Sequence, residues 1–322
     1  MLGALFFWRT AGCALALGVS AGSVLASGTY PNKPIRVIVP YAAGGVVDVQ
    51  TRALTEALHE VLGQVVVVEA RPGASGNIAA RQIAAAEPDG YTLMVSASFL
   101  INNPLLEKNL PWKPDDFTPI ARFALSASYF VVPANSPANN VKEFADLARQ
   151  AVPSWQYGNG GTGTPQTMSN ELFRVVADIP LESVMYKGAP PIVPDLVNGL
   201  VSMAVLPSSV AIPHVQSGTI RALANVSNHR SIQLPDVPTI AEAGFPEVTT
   251  LSWYGLHAPA GTPETILRAL SDAVNKACQT VGFQQRIVNA GGEAACMNTN
   301  EFQQFLDADA KRWSELVKVI QP

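Results

Sequence analysis

Residues 35–48 read Ile35-Arg36-Val37-Ile38-Val39-Pro40-Tyr41-Ala42-Ala43-Gly44-Gly45-Val46-Val47-Asp48. The first five suit a strand, which ends at Pro40. Past the glycine pair, Val47, Leu54, Leu58, Val61 and Leu62 recur at helical spacing. A strand that runs through a short Gly turn into a helix leaves N–H groups unpaired at the helix start. Together with the helix dipole, those groups suit an anion such as a carboxylate. Gly44 and Gly45 have no Cβ, so a ligand can come close to the backbone. An ordinary βα turn without a ligand has the same pattern, and this stretch alone leaves both readings open.

Outward from this turn, residues 30 to about 98 alternate β-α-β-α-β. Gly63 stops the first helix. Val65 to Val68 is a continuous β-branched run suited to a strand buried on both faces. A breaker-rich loop, Glu69 to Asn77, leads to a small-residue helix over Ile78 to Ala86. Tyr91 to Val95 is the third strand, and Ser96-Ala97-Ser98 follows it, expected beside Gly44-Gly45. This alternation predicts a parallel, doubly wound α/β sheet with ligands at the carboxyl ends of its strands.

The next segment, 102–118, is dense in Pro, Asn and Asp and reads as a structured loop. Ala121 to Pro133 is an apolar strand region, and Val141 to Ala151 a helix. Then Trp155-Gln156-Tyr157-Gly158-Asn159-Gly160-Gly161-Thr162-Gly163-Thr164-Pro165 repeats the opening theme, a short strand entering a helix through a Gly-rich turn. It is a second potential anion cradle or a merely flexible turn, and it lacks the Gly-Lys-Ser/Thr ending of a nucleotide loop. Tyr186-Lys187-Gly188 follows another strand, and Ser208-Ser209 ends the strand Val201 to Leu206. The last 70 or so residues have no such turn and read as completion of the first unit. They close with an amphipathic helix whose Phe302, Phe305, Leu306, Trp313, Leu316 and Val317 form a core stripe.

The chain has 322 residues, with 21 Lys and Arg against 25 Asp and Glu. Residues 1–26 hold one charge, Arg9, and a short apolar run ending at Val24-Leu25-Ala26, the pattern of a secretory signal peptide. Removing them leaves 20 basic and 25 acidic side chains, a formal charge of −5. No basic cluster points to nucleic acid. The mature chain is expected in the periplasm, where Cys278 and Cys296 either form a disulfide or stay as separate buried thiols.

The signatures of catalysis are missing. His59, His214, His229 and His257 are scattered, and the sequence has neither His-x-x-x-His nor Gly-x-Ser-x-Gly. No metal-ligand spacing and no cofactor motif occurs. The expectation is a binding protein without a cofactor; an exported hydrolase is the weaker alternative.

Pro31-Asn32-Lys33-Pro34-Ile35-Arg36, running on into Val39 to Gly45, Asp48 and Arg52, resembles the opening signature of the Bug-type solute-binding proteins. These are the extracytoplasmic receptors of tripartite tricarboxylate transporters. Further matches run in order along the chain. They include Pro88-Asp89-Gly90-Tyr91-Thr92-Leu93, Asp116-Phe117-Thr118-Pro119-Ile120, Leu234-Pro235-Asp236-Val237-Pro238-Thr239 and Trp253-Tyr254-Gly255-Leu256. The resemblance implies an α/β, type II, Venus-flytrap fold of two lobes joined by two crossing strands. It implies a monomer that captures a small organic carboxylate and hands it to membrane permease subunits; a sensor kinase or another transporter is the alternative recipient. Residues 27–126 with 252–322 are expected to form one lobe, and 127–251 the other. One jaw would comprise Tyr41, Ala42, Ala43, Gly44, Gly45 and Asp48 with Ser96, Ala97 and Ser98. The other would comprise Asn159, Gly160, Thr162, Gly163 and Thr164 with Tyr186, Lys187 and Gly188, and Ser208 beside them. Thr164, Gln166, Met185 and Ala70 depart from the usual family residues.

Overall fold

The computed structural model describes residues 30–320, so the signal-peptide expectation for 1–26 lies outside the described residues. Strand β1 (Ile35–Val39) pairs in parallel with β2 (Val66–Ala70) and β3 (Thr92–Ser96). Its side chains Ile35, Val37, Ile38 and Val39 are buried, and the sheet continues through three antiparallel strands. The order is β11 (Gly292–Met297), β4 (Phe117–Ser126), β10 (Ser252–Pro259), β3, β1, β2. A second sheet runs β7 (Glu182–Met185), β6 (Gln156–Asn159), β8 (Met203–Pro207), β5 (Ser128–Pro133), β9 (Ile220–Asn225). Each sheet with its helices is one lobe.

The β-branched run at 65–68 is a strand but not a doubly buried one. β2 is the edge of its sheet, and Val65 and Val67 are 52% and 48% exposed. A run of valines favours extended backbone whether or not both faces are covered, so the composition could not separate an edge from a centre. The breaker-rich segment from 102 starts inside a helix, α3 (Phe99–Leu106), which carries Pro104. Burial of Phe99, Leu100, Asn102 and Asn103 outweighs the local preference for a loop. Residues 121–133 are two strands rather than one, separated only by Ala127.

Helix α1 (Val46–Leu62) lays Val47, Leu54 and Leu58 into the core of the first lobe. Gly63, at φ +67°, ends it, donating to the His59 carbonyl over 2.9 Å. The remaining helices are α2 (Asn77–Ala84), α4 (Val141–Gln150), α5 (Pro165–Val176), α6 (Ile192–Val197), α7 (Ser208–Gln216), α8 (Glu264–Cys278), α9 (Val281–Asn289) and α10 (Thr299–Ile320).

The chain crosses between the lobes at Ala127 and returns at Leu251, after Val226, Ile240 and Val248 have packed into the core of the second lobe. Helix α10 spans both. Phe302 is fully buried against Trp253 and His257 of β10, whereas Leu316 and Ile320 pack on the core of the second lobe. A disulfide joins Cys278 at the end of α8 to Cys296 of β11.

Candidate functional site

The opening turn is built by its own side chains. Asp48 accepts from the Gly44 N–H (3.0 Å) and from Arg52 Nε and Nη2 (2.9 and 3.1 Å). Burial works to raise its pKa, but the Arg52 guanidinium and the Gly44 N–H hold the Asp48 carboxyl below its ordinary range. The Gly45 N–H closes on the Ala42 carbonyl at 3.2 Å. Both glycine N–H groups of the expected cradle are therefore used inside the turn, and Asp48 is its brace. The free donors are its neighbours. The N–H groups of Ala42, Ala43, Val46, Val47 and Asp48 have no partner among the described residues, the last three because they open α1. Gly44 sits at φ +78°, and a Cβ there would meet nothing within 4 Å. Tyr41 stands edge-on to Phe99, with ring centroids 6.4 Å apart. Burial, with Tyr254 nearby, pushes its phenol well above the ordinary value, so it stays protonated.

Across from this turn is a second helix start. Gly44, Val46 and Val49 share a cavity of about 250 Å³ with Ser208, Ser209 and Ile212 of α7. The Ser208 N–H donates to Ala127, whereas those of Ser209 and Val210 have no partner among the described residues. Two helix N-termini, one from each lobe, thus line one cavity, and both dipoles favour negative charge there. The Ser208 hydroxyl is not available to a ligand. It donates to the Gly291 carbonyl and lies 3.0 Å from Ser126 Oγ, beside the Ala127 crossing.

The glycine turn of the second lobe is zipped to the Tyr186–Gly188 loop. Tyr186 N–H donates to Asn159 (2.8 Å) and Gly188 N–H to Gly160 (3.1 Å). A Cβ at Gly160 would come within 3.1 Å of the Gly188 carbonyl carbon. Asn159 Oδ1 accepts from Gly161 N–H and Thr167 Oγ1, and Thr164 caps α5 through the Thr167 N–H. The Tyr186 hydroxyl donates to Asp195 (2.6 Å), which leaves the exposed Lys187 without an ion pair among the described residues. Thr162 is exposed; Gly163 is buried against α3 and receives Asn102 Nδ2 on its carbonyl at 2.9 Å. Gln166 donates to Ser128 and Ser252, one on each crossing strand.

Ser96, Ala97 and Ser98 are buried. Ser96 Oγ points into the sheet, donating to Gly255 (3.1 Å) with His257 Nδ1 at 2.7 Å. Burial drives the His257 pKa down to about 3, so it remains neutral. The Ser98 hydroxyl is buried without a partner.

Sequence reasoning missed α7 as a helix start, although Pro207 immediately ahead of Ser208-Ser209 is a recognisable entry signal. It also missed His257 and Asn102, whose roles come from partners 161 and 61 residues away. Among the described residues no cluster of His, Cys, Asp and Glu could hold a metal, and no helix is long and apolar enough to cross a membrane.

Residues 50–321 match the sequence profile of the tripartite tricarboxylate transporter family receptor. The chain is 30% identical over 296 residues to the protein BugT of Bordetella pertussis, covering 90% of each. Its structure superposes on R. palustris Rpa4515 with adipate at a TM-score of 0.84, with 30% identity, covering 90% of this chain and 98% of that one. It also superposes on MatC (Rpa3494) from Rhodopseudomonas palustris with bound malate, at a TM-score of 0.79 and 29% identity. That match covers 89% of this chain and 100% of the other.

Proposed function

Because the chain belongs to the tripartite tricarboxylate transporter receptor family, we propose that it captures a small organic carboxylate between its lobes in the periplasm and delivers it to membrane permease subunits. The observation that carries this reading is the convergence of two helix starts, α1 and α7, on one interlobe cavity with several unpaired N–H donors. One carboxylate group of the ligand takes the donors at Ala42, Ala43 and Val46 to Asp48. Charge-assisted bonds to backbone N–H are strong enough to hold it without an Arg or Lys. Asp48 stays tied to Arg52 and keeps the turn in shape. The second jaw, from Asn159 to Thr164 with Tyr186 to Gly188, covers the rest of the molecule. The adipate and malate held by the two superposed relatives support a linear aliphatic acid of this size. The lobes we assign are residues 27–126 with 252–322, and 127–251, the end of α10 reaching across to pack on the second. The protein performs no chemistry on its ligand.

The test is calorimetric titration of the purified protein with mono-, di- and tricarboxylates, including malate, adipate and amino acids. Micromolar binding of at least one acid is the expected outcome. An uncharged amide or alcohol binding as tightly as its parent acid would sink the proposal.

A further inference from the structure

Helix α3 meets the glycine turn of the second lobe at Gly163, and the contact there is tight. Asn102 Nδ2 donates to the Gly163 carbonyl at 2.9 Å. A Cβ on Gly163, which sits at φ +70°, would fall 2.7 Å from Asn103 Oδ1 and 3.7 Å from both Asn102 Cβ and Leu106 Cδ1. Asn102, Asn103 and Leu106 of α3 therefore close around a position that only glycine fills. Asn103 cannot swing away, because its Nδ2 is held by Ser75 and Asn77, and Asn77 is in turn held by Trp112.

The same contact is poorly satisfied in polar terms. Asn102 Oδ1 and Asn103 Oδ1 are both buried with no hydrogen-bond partner, and their residues are fully buried. Bringing the lobes together strips these oxygens of water and returns one hydrogen bond. When the lobes part, water reaches the two carboxamide oxygens again. The contact thus holds the closed arrangement only weakly: a minor closed population persists without ligand, and a bound molecule makes it prevail.

We propose that Asn102 and Gly163 are positioning residues for capture: they form the interlobe latch that completes closure over the ligand, and glycine at 163 is what allows the lobes to meet. This rests on the carboxylate-receptor reading for the ligand, but the latch itself is readable without one. Neither residue hydrogen-bonds to the carboxylate turn at Ala42–Asp48 among the described residues.

The experiment uses the full mature chain with Glu87→Cys and Glu182→Cys spin labels, one in each lobe and both exposed. Double electron–electron resonance gives the interlobe distance distribution with and without ligand. Gly163→Ala is expected to remove the short-distance population even in the absence of ligand. For whichever acid binds the unsubstituted protein, it raises Kd at least tenfold, through a faster off-rate. Asn102→Ala gives a smaller shift in the same direction, because the hydrogen bond is lost but no wedge is added. Pairing Gly163→Ala with Asn103→Ala, which removes the clashing oxygen, restores much of the short-distance population. An unchanged distance distribution in Gly163→Ala overturns the latch. So does a loss of affinity that the Asn103→Ala partner leaves untouched, since that marks local damage to the turn. If no acid binds the unsubstituted protein, the receptor reading fails while the ligand-free distances still decide the latch.

Discussion

Gly44 and Gly63 offer a matched pair that separates the binding role of the first turn from its folding role. Both have left-handed backbone, at φ +78° and +67°, and a Cβ at either would meet nothing within 4 Å. They bracket the same helix, Gly44 at the cavity and Gly63 at the far end. Alanine at either position carries the same backbone strain, roughly 1–2 kcal/mol. For a body of this size that corresponds to a fall in melting temperature of about 2–8 °C for each variant. Binding should then divide them. The Gly44 Cβ projects into space that the protein leaves empty and that a carboxylate needs to reach the N–H groups beside it. Losing two charge-assisted bonds, at about 1.5–3 kcal/mol each, costs roughly 3–6 kcal/mol and raises Kd a hundredfold or more. Scanning calorimetry and titration with the best acid of the panel measure both quantities on the same samples. Equal melting losses with a Kd increase confined to Gly44→Ala support the cradle. A wild-type Kd in Gly44→Ala, or an equal loss in Gly63→Ala, refutes it.

Asp48→Asn should weaken ligand binding only about fivefold, the worth of roughly 1 kcal/mol from a loosened Gly44 N–H. A collapse larger than that of Gly44→Ala would make Asp48 a direct ligand contact. Reducing the Cys278–Cys296 bridge, 18 residues apart in sequence, should cost about 3 kcal/mol of stability on the chain-entropy account. Identical urea midpoints with and without reductant would contradict this. His257 is held near pKa 3 by burial, below its ordinary 6.5, so protonation favours the unfolded chain. Its contribution is complete above pH 6.5 and is lost as pH falls toward 3, about 2 kcal/mol of it by pH 5. His257→Gln should flatten the decline in urea midpoint between pH 7 and 5; an unaltered slope would assign the acid sensitivity elsewhere.

Local signals were legible wherever one short segment decides its own conformation. The five-residue strand before Pro40, the stop at Gly63 and the passage from a short strand through a Gly-rich turn into α5 all read correctly from the chain. What stayed hidden depends on which donor finds which acceptor. The glycine pair advertises free N–H groups, yet Asp48 and Ala42 consume both, and the donors that remain belong to alanines and valines that carry no visible mark. Ser96 and Ser98 look alike in sequence, but Ser96 ends β3 and meets His257, whereas Ser98 has left the strand and stands at the start of α3. The open question of the two cysteines could be closed only by the packing of α8 against β11. Edge and centre were likewise indistinguishable for β2, because valine runs report extended backbone rather than neighbours.

Strand β10 lies between β3 and β4, yet the chain reaches it only after the entire second sheet. The first sheet therefore has a gap in its middle for most of synthesis. Until residues 252–259 arrive, β3 and β4 each present an unpaired edge, the kind of surface that recruits strands from other chains. The second sheet needs nothing beyond residue 225 and can close first, leaving its partner to wait with long-range pairings still unmade. Substitutions that slow folding of the second sheet would thus prolong the exposure of edges in the first. Their damage would be recorded in the yield of protein recovered rather than in the stability of what folds.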